Sequence, residues 1–241
     1  YSFYNLTINK AAGTATTSGT MTLGNDLTVS AGTLSVGANI TVGNNLTVSA
    51  GTLTLVGNVS VDGGGAGTLS LASGATMKIA QGNYFPSGYA TVSLNSNSTV
   101  EFNATFNQTI PAPGVGANYG NLLFSNSDNR NMSAMTIAGN LTTTDTTAAV
   151  ALGNLTIRGN ISIGAGTTFT SGAYTVTMDG TSAQSIGGGV TSLSFNNLTI
   201  NNSVGVTANV NLFIAGAFTN TVGFNAGTTT TTFNGSAAQT I

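Results

Sequence analysis

Residues 25–43, NDLTVSAGTLSVGANITVG, align without a gap on residues 44–62, NNLTVSAGTLTLVGNVSVD, and eleven of the nineteen positions are identical. Inside each copy the apolar residues come in pairs two apart: Leu27/Val29, Leu34/Val36 and Ile40/Val42, then Leu46/Val48, Leu53/Leu55 and Val59/Val61. A spacing of two sends alternate side chains to one face, which is the mark of a strand rather than a helix. Successive pairs begin six or seven residues apart, so three short strands fit in one period. The Gly, Asn and Ala between them suit tight corners. Three strands and three corners make one coil of a triangle, and each coil stacks on the last at about 4.8 Å.

Working outward, Met21/Leu23 precedes the repeat, and Leu69/Leu71, Met77/Ile79, Leu155/Ile157, Ile161/Ile163, Leu198/Ile200 and Leu212/Ile214 continue it. Asn-Gly hairpin signals are nearly absent, Asn234-Gly235 being the exception, which argues against an antiparallel meander. The expected fold is therefore all-β: a right-handed parallel β-helix, a three-sided β-solenoid of about 19 residues per coil, running through 1–241 as a single segment.

A longer repeat lies over the short one. TVEFNATFNQTI (99–110) is followed by NYGNLLFSN, and YTVTMDGTSAQSI (174–186) by SFNNLTINN. TTTTFNGSAAQTI (229–241) is a third copy, and its expected continuation, YSFYNLTINK, stands at residues 1–10. The copies are 76 and 55 residues apart, with about 116 to close a cycle of about 247, which nineteen-residue coils would fill as about thirteen. Neither end reads as a polar cap. The expectation is a segment of a longer array, or identical subunits docked head-to-tail.

The nineteen-residue pattern G-N-x-L-T-V-x-x-G-T-L resembles that of filamentous-haemagglutinin-like adhesins and related secreted β-helix surface proteins. The resemblance implies secretion, a fibrous shape and attachment at the cell surface. Its motifs are structural and name no ligand.

Only 4% of the residues are charged, and the four cations, Lys10, Lys78, Arg130 and Arg158, are scattered. That leaves no basic footprint for nucleic acid. Cysteine is absent, and no run of apolar residues is long enough to cross a membrane as a helix. His is absent too, which removes Ser-His and Cys-His nucleophile systems and imidazole metal sites. The acids Asp26, Asp62, Glu101, Asp128, Asp145 and Asp179 offer one close acid–base pair, Asp128 with Arg130, in the polar stretch SNSDNRN. It reads as solvated loop charge. No catalytic residue, cofactor or metal site is expected, and VDGGGAG (61–67) has one acid and no calcium-binding sequel.

The sequence points to a structural subunit of an extracellular filament. Asn-x-Ser/Thr occurs at Asn5, Asn39, Asn45, Asn58, Asn97, Asn103, Asn107, Asn131, Asn140, Asn154, Asn160, Asn197, Asn201 and Asn234. These are candidate sites for N-glycans, which would solubilise a nearly chargeless surface. The competing reading is that Asn at a corner and Thr on the following strand generate the motif for structural reasons alone. Outward Thr-x-Thr and Thr-x-Ser pairs at 20–22, 33–35, 52–54 and 68–70 resemble the flat faces of ice-binding solenoids, though their rows are irregular. Phe3, Tyr4, Phe102, Phe106, Tyr119, Phe124, Phe195 and Phe233 recur in the longer repeat, and core filling explains them better than sugar stacking. The stretches 81–98 and 111–133 break the period and hold all three prolines, so an adhesin binding a receptor or glycan would use them.

Overall fold

The computed structural model describes residues 1–82, 84–145 and 148–241. Among them are thirty β-strands and no helix. The chain divides into two compact units, Tyr1–Phe106 with Pro113–Gly120, and Asn107–Ala112 with Asn121–Ile241. Each is built of parallel strands wound as a β-solenoid, and between them they make about 11 turns.

Three columns of strands form the first unit. One stacks Ser2–Phe3, Met21–Leu23, Ile40–Val42 and Val61–Gly63. The other two share long bent strands. In Leu27–Val36 the first three residues pair with Leu46–Val48 and the last four with Thr52–Leu55. The bend falls at Ala31-Gly32, where Gly32 takes φ +74°, so a corner expected to break the strand only folds it. Leu46–Val48 leads on to Thr68–Leu71 and Thr91–Leu94, and Thr52–Leu55 to Thr76–Ile79 and Thr99–Phe102.

The second unit repeats the plan. Its columns are Asn121–Phe124 to Phe224–Asn225, Gln108–Ile110 to Thr231–Phe233, and Met135–Ile137 to Phe218–Asn220. In the last of these, Leu155, Val176, Leu198 and Phe218 lie in register inside, while Thr136, Thr156, Thr177, Thr199 and Thr219 form one column outside. The alternation read from the sequence is thus the wall itself. The inward residues are almost all fully buried. Each such Leu, Ile or Val contributes about 1.5–3 kcal/mol.

Turn length departs from nineteen. Leu27 meets Leu46 nineteen residues on, but Leu46 meets Leu69 twenty-three on, and Ile161 meets Ile186 twenty-five on. The extra residues sit in the corners, where they leave strand registry intact. This is why about 11 turns form and not the thirteen that a constant nineteen implies. It also corrects the reading of the longer repeat. Gln108, Gln184 and Gln239 occupy different columns, with Thr240 O accepting from Phe218 N, so the copies are not whole turns apart.

Candidate functional site

The fourteen sequon asparagines occupy a few recurrent positions, mostly corners. In nine of them (Asn5, Asn39, Asn45, Asn58, Asn107, Asn140, Asn154, Asn160 and Asn197) Oδ1 accepts a backbone N–H from the following turn, at 2.7–3.2 Å. These N–H groups lie at corners or at the start of the following strand, where the Asn carbonyl supplies an acceptor. The next residue points inward and the Ser or Thr after it lies on the wall, as in Asn39-Ile40-Thr41. Asn45 and Asn201 also use Nδ2, donating to Asp26 Oδ1 at 3.0 Å and to Asp179 Oδ1 at 2.8 Å. Asn97 and Asn234 are exposed, and Asn103 and Asn131 are half-buried.

Two sequence readings change. Arg130 does not belong to a solvated loop: it lies on the strand Asn129–Met132 with no exposed surface. Its guanidinium donates to Ser125 O at 2.8 Å and to Asn129 O at 3.2 Å, which converts a charge into a corner clamp. Burial lowers its pKa, and Asp128 pulls the other way. The aromatics divide: Phe102, Tyr119, Phe124 and Phe195 are core residues, whereas Phe3, Tyr4 and Phe106 are exposed. Of the other acids, Asp26 accepts from Asn44 and Asn45, while Asp62 stands in register with Thr41.

A different glutamine role escaped the sequence reading. Gln184 is buried, accepts from Gly180 N through Oε1 at 2.9 Å, and donates through Nε2 to Ile157 O at 3.0 Å and also to Gly159 O. Gln239 repeats this with Gly235 N, Ile214 O and Gly216 O. The signal was present in the recurring Gly-x-x-x-Gln of 180–184 and 235–239.

A concavity with a mixed polar and apolar lining lies in the first unit, beside the stretch 81–98 that breaks the period. (Asn83, within that stretch, lies outside the described residues.) It measures about 470 Å³ and is lined by Asn39, Asn58, Val59, Ser60, Asp62, Gly82, Tyr84, Phe85 and Ser87. Two corner asparagines of successive turns, Asn39 and Asn58, frame it, with their Oδ1 atoms held by Ser60 N and Gly82 N. In place of a fifth strand on Val61–Gly63, residues 87–88 lie on this column as a loop: Gly63 N donates to Ser87 O at 2.8 Å, and Ser87 donates from N and Oγ to Asp62 Oδ1 at 3.1 and 3.0 Å. Phe85 anchors the loop edge-on against Tyr119, with ring centroids 5.5 Å apart. Tyr84, the neighbouring residue, is 77% exposed. Tyr89 donates to Val61 O, and burial, then Asp62, raises its pKa.

Compared with protein-family models, with curated proteins and with solved structures, the chain shows no match.

Proposed function

We propose that this chain is a structural β-solenoid of an extracellular surface fibre, of the kind that filamentous-haemagglutinin-like adhesins build. The observation that carries the reading is the division of each wall: aliphatic columns inside, and neutral Thr, Ser and Asn columns outside. A wall of this kind resists extension through hydrogen bonds running along the stacking direction and through a continuous apolar interior. It dissolves without charge, and the exposed sequon asparagines could carry glycans that increase this effect.

The same registry that seats one turn on another admits a further turn, from more of the chain or from a second copy. Electron microscopy and fibre diffraction of the protein in its native setting test this. Fibres with a meridional reflection near about 4.8 Å are expected. Compact particles, or a protein inaccessible to surface-applied protease on intact cells, would overturn the reading. Glycopeptide mass spectrometry of the same material decides which sequons are occupied.

A further inference from the structure

A fibre needs no concavity, and a regular solenoid turn makes none. Here residues 84–90 form no strand on the wall, and the loop they make is tied down at two points. Phe85 is locked against Tyr119, and Ser87 is bound to Asp62 through both of its donors. Next to the Phe85 anchor, Tyr84 is left largely exposed, which costs apolar hydration and brings little packing. An aromatic ring held out beside a buried anchor is a surface kept for something else to cover.

We propose that this concavity binds a neutral saccharide, one or two sugar residues of a glycan. The lining is two-natured. Val59, Tyr84 and Phe85 offer an apolar patch to the C–H face of a pyranose, while Asn39, Asn58, Ser60, Asp62 and Ser87 offer hydrogen-bonding groups to its hydroxyls. Because the two asparagines commit Oδ1 to the corner ladder, their Nδ2 groups are the donors a ligand meets. Asp62 supplies an acceptor, and it is the only charge in the lining, so acidic sugars are disfavoured. The volume, about 470 Å³, falls among those of small-ligand sites, about 300–1,000 Å³.

The site stands whether or not the chain forms fibres. The glycan could come from another molecule, or from the chain itself, since Asn39 and Asn58 are both sequons bordering the depression. Both sources present the same chemistry.

The test is an array of neutral and acidic oligosaccharides probed with the full chain, once as isolated from its native source and once produced without glycans. Binding of a neutral oligosaccharide to both preparations is expected for an external ligand. Binding by the unglycosylated chain alone assigns the site to the chain's own glycan. Tyr84→Ala should weaken binding at least tenfold and Tyr84→Phe less than threefold. Tyr84 is exposed, so neither substitution should shift the melting temperature. Binding unchanged in Tyr84→Ala, preference for acidic sugars, or no binding by either preparation would overturn the assignment. Microscopy of the fibre is unaffected by any of these results, so the two readings fail separately.

Discussion

Asn202 Nδ2 donates to Gln184 Oε1 at 2.8 Å, and both side chains are buried where two turns of the second unit meet. Asn202 also donates to Ser182 O at 2.7 Å and accepts from Val204 N at 2.8 Å, so the pair ties two corners to each other and to the corner beneath. Buried amides of this kind contribute little net energy while satisfied and cost much when a partner is removed. Replacing Gln184 with Met keeps much of the volume but removes one hydrogen bond each from Ile157 O, Gly159 O, Gly180 N and the Asn202 amide. The expected loss, by urea denaturation, is on the order of 3 kcal/mol. Gln239→Met removes three corresponding bonds, without a counterpart of the Asn202 bond, from a half-exposed site where water can replace them, and should cost under about 1 kcal/mol. Equal costs would show that the network is incidental.

Glycines at one corner of the first unit stack in the left-handed conformation, Gly13 at φ +86°, Gly32 at +74° and Gly51 at +83°. A Cβ on Gly51 would stand 2.1 Å from Gly32 O, a backbone atom of the turn below. Gly74 has a similar φ, +77°, but nothing within 4 Å of the place a Cβ would take. Gly74→Ala should therefore cost only the conformational penalty, about 1–2 kcal/mol. Gly51→Ala adds a clash that only a shift of the stack can relieve, and its melting temperature should fall distinctly further. The comparison separates backbone strain from turn-to-turn approach.

The columns were legible because a strand pair such as Leu27/Val29 carries its direction in its own spacing, whatever the turn length. Leu27, Leu46 and Leu69 could be read as one wall from any of the three. Turn length was less legible, because residues added in a corner, as between Gly63 and Gly67, disturb no strand and so leave no mark on the pattern. Buried polar residues were the least legible. Arg130 lies in SNSDNRN, a run that reads as solvated, and what buries it is the inward phase of one short strand. Gln184 finds its acceptors twenty-five and twenty-seven residues earlier, a contact that only the stacked turn reveals. The concavity was pointed to by the broken period at 81–98, but Tyr84 was not, because nothing local distinguishes an exposed tyrosine from a buried one.

The sequons carry two separable meanings, and Asn140-Leu141-Thr142 distinguishes them. Asn140 Oδ1 accepts from Asn160 N at 2.7 Å, while Thr142 lies on the outer wall in register with Ser162. In protein produced without glycans, Asn140→Ala leaves a corner N–H without its acceptor and should cost about 1 kcal/mol. Thr142→Val keeps the β-branched shape and should stay within about 0.5 kcal/mol of the parent. Both substitutions abolish the sequon. If glycosylation were the reason for the motif, the two would be indistinguishable without glycans and equally harmful in native material.

Tyr119 gives the molecule a predictable weakness to alkali. It has no exposed surface, and burial raises its pKa above the ordinary tyrosine value of 10.0. In the unfolded chain it ionises near that ordinary value, while in the folded unit it keeps its proton. The unfolded state therefore holds fewer protons than the folded state above about pH 10, and stability falls as pH rises. Below that pH the contribution is fully present. Denaturant midpoints between pH 8 and 11.5 should be flat up to about pH 10 and then decline, with Tyr119 accounting for about 1.4 kcal/mol per pH unit. Tyr119→Phe keeps the ring that packs between Phe85 and Phe102 and removes the ionisation, so its midpoint should decline less steeply over the alkaline range. A Tyr119→Phe profile parallel to that of the parent would show that other groups carry the alkaline transition.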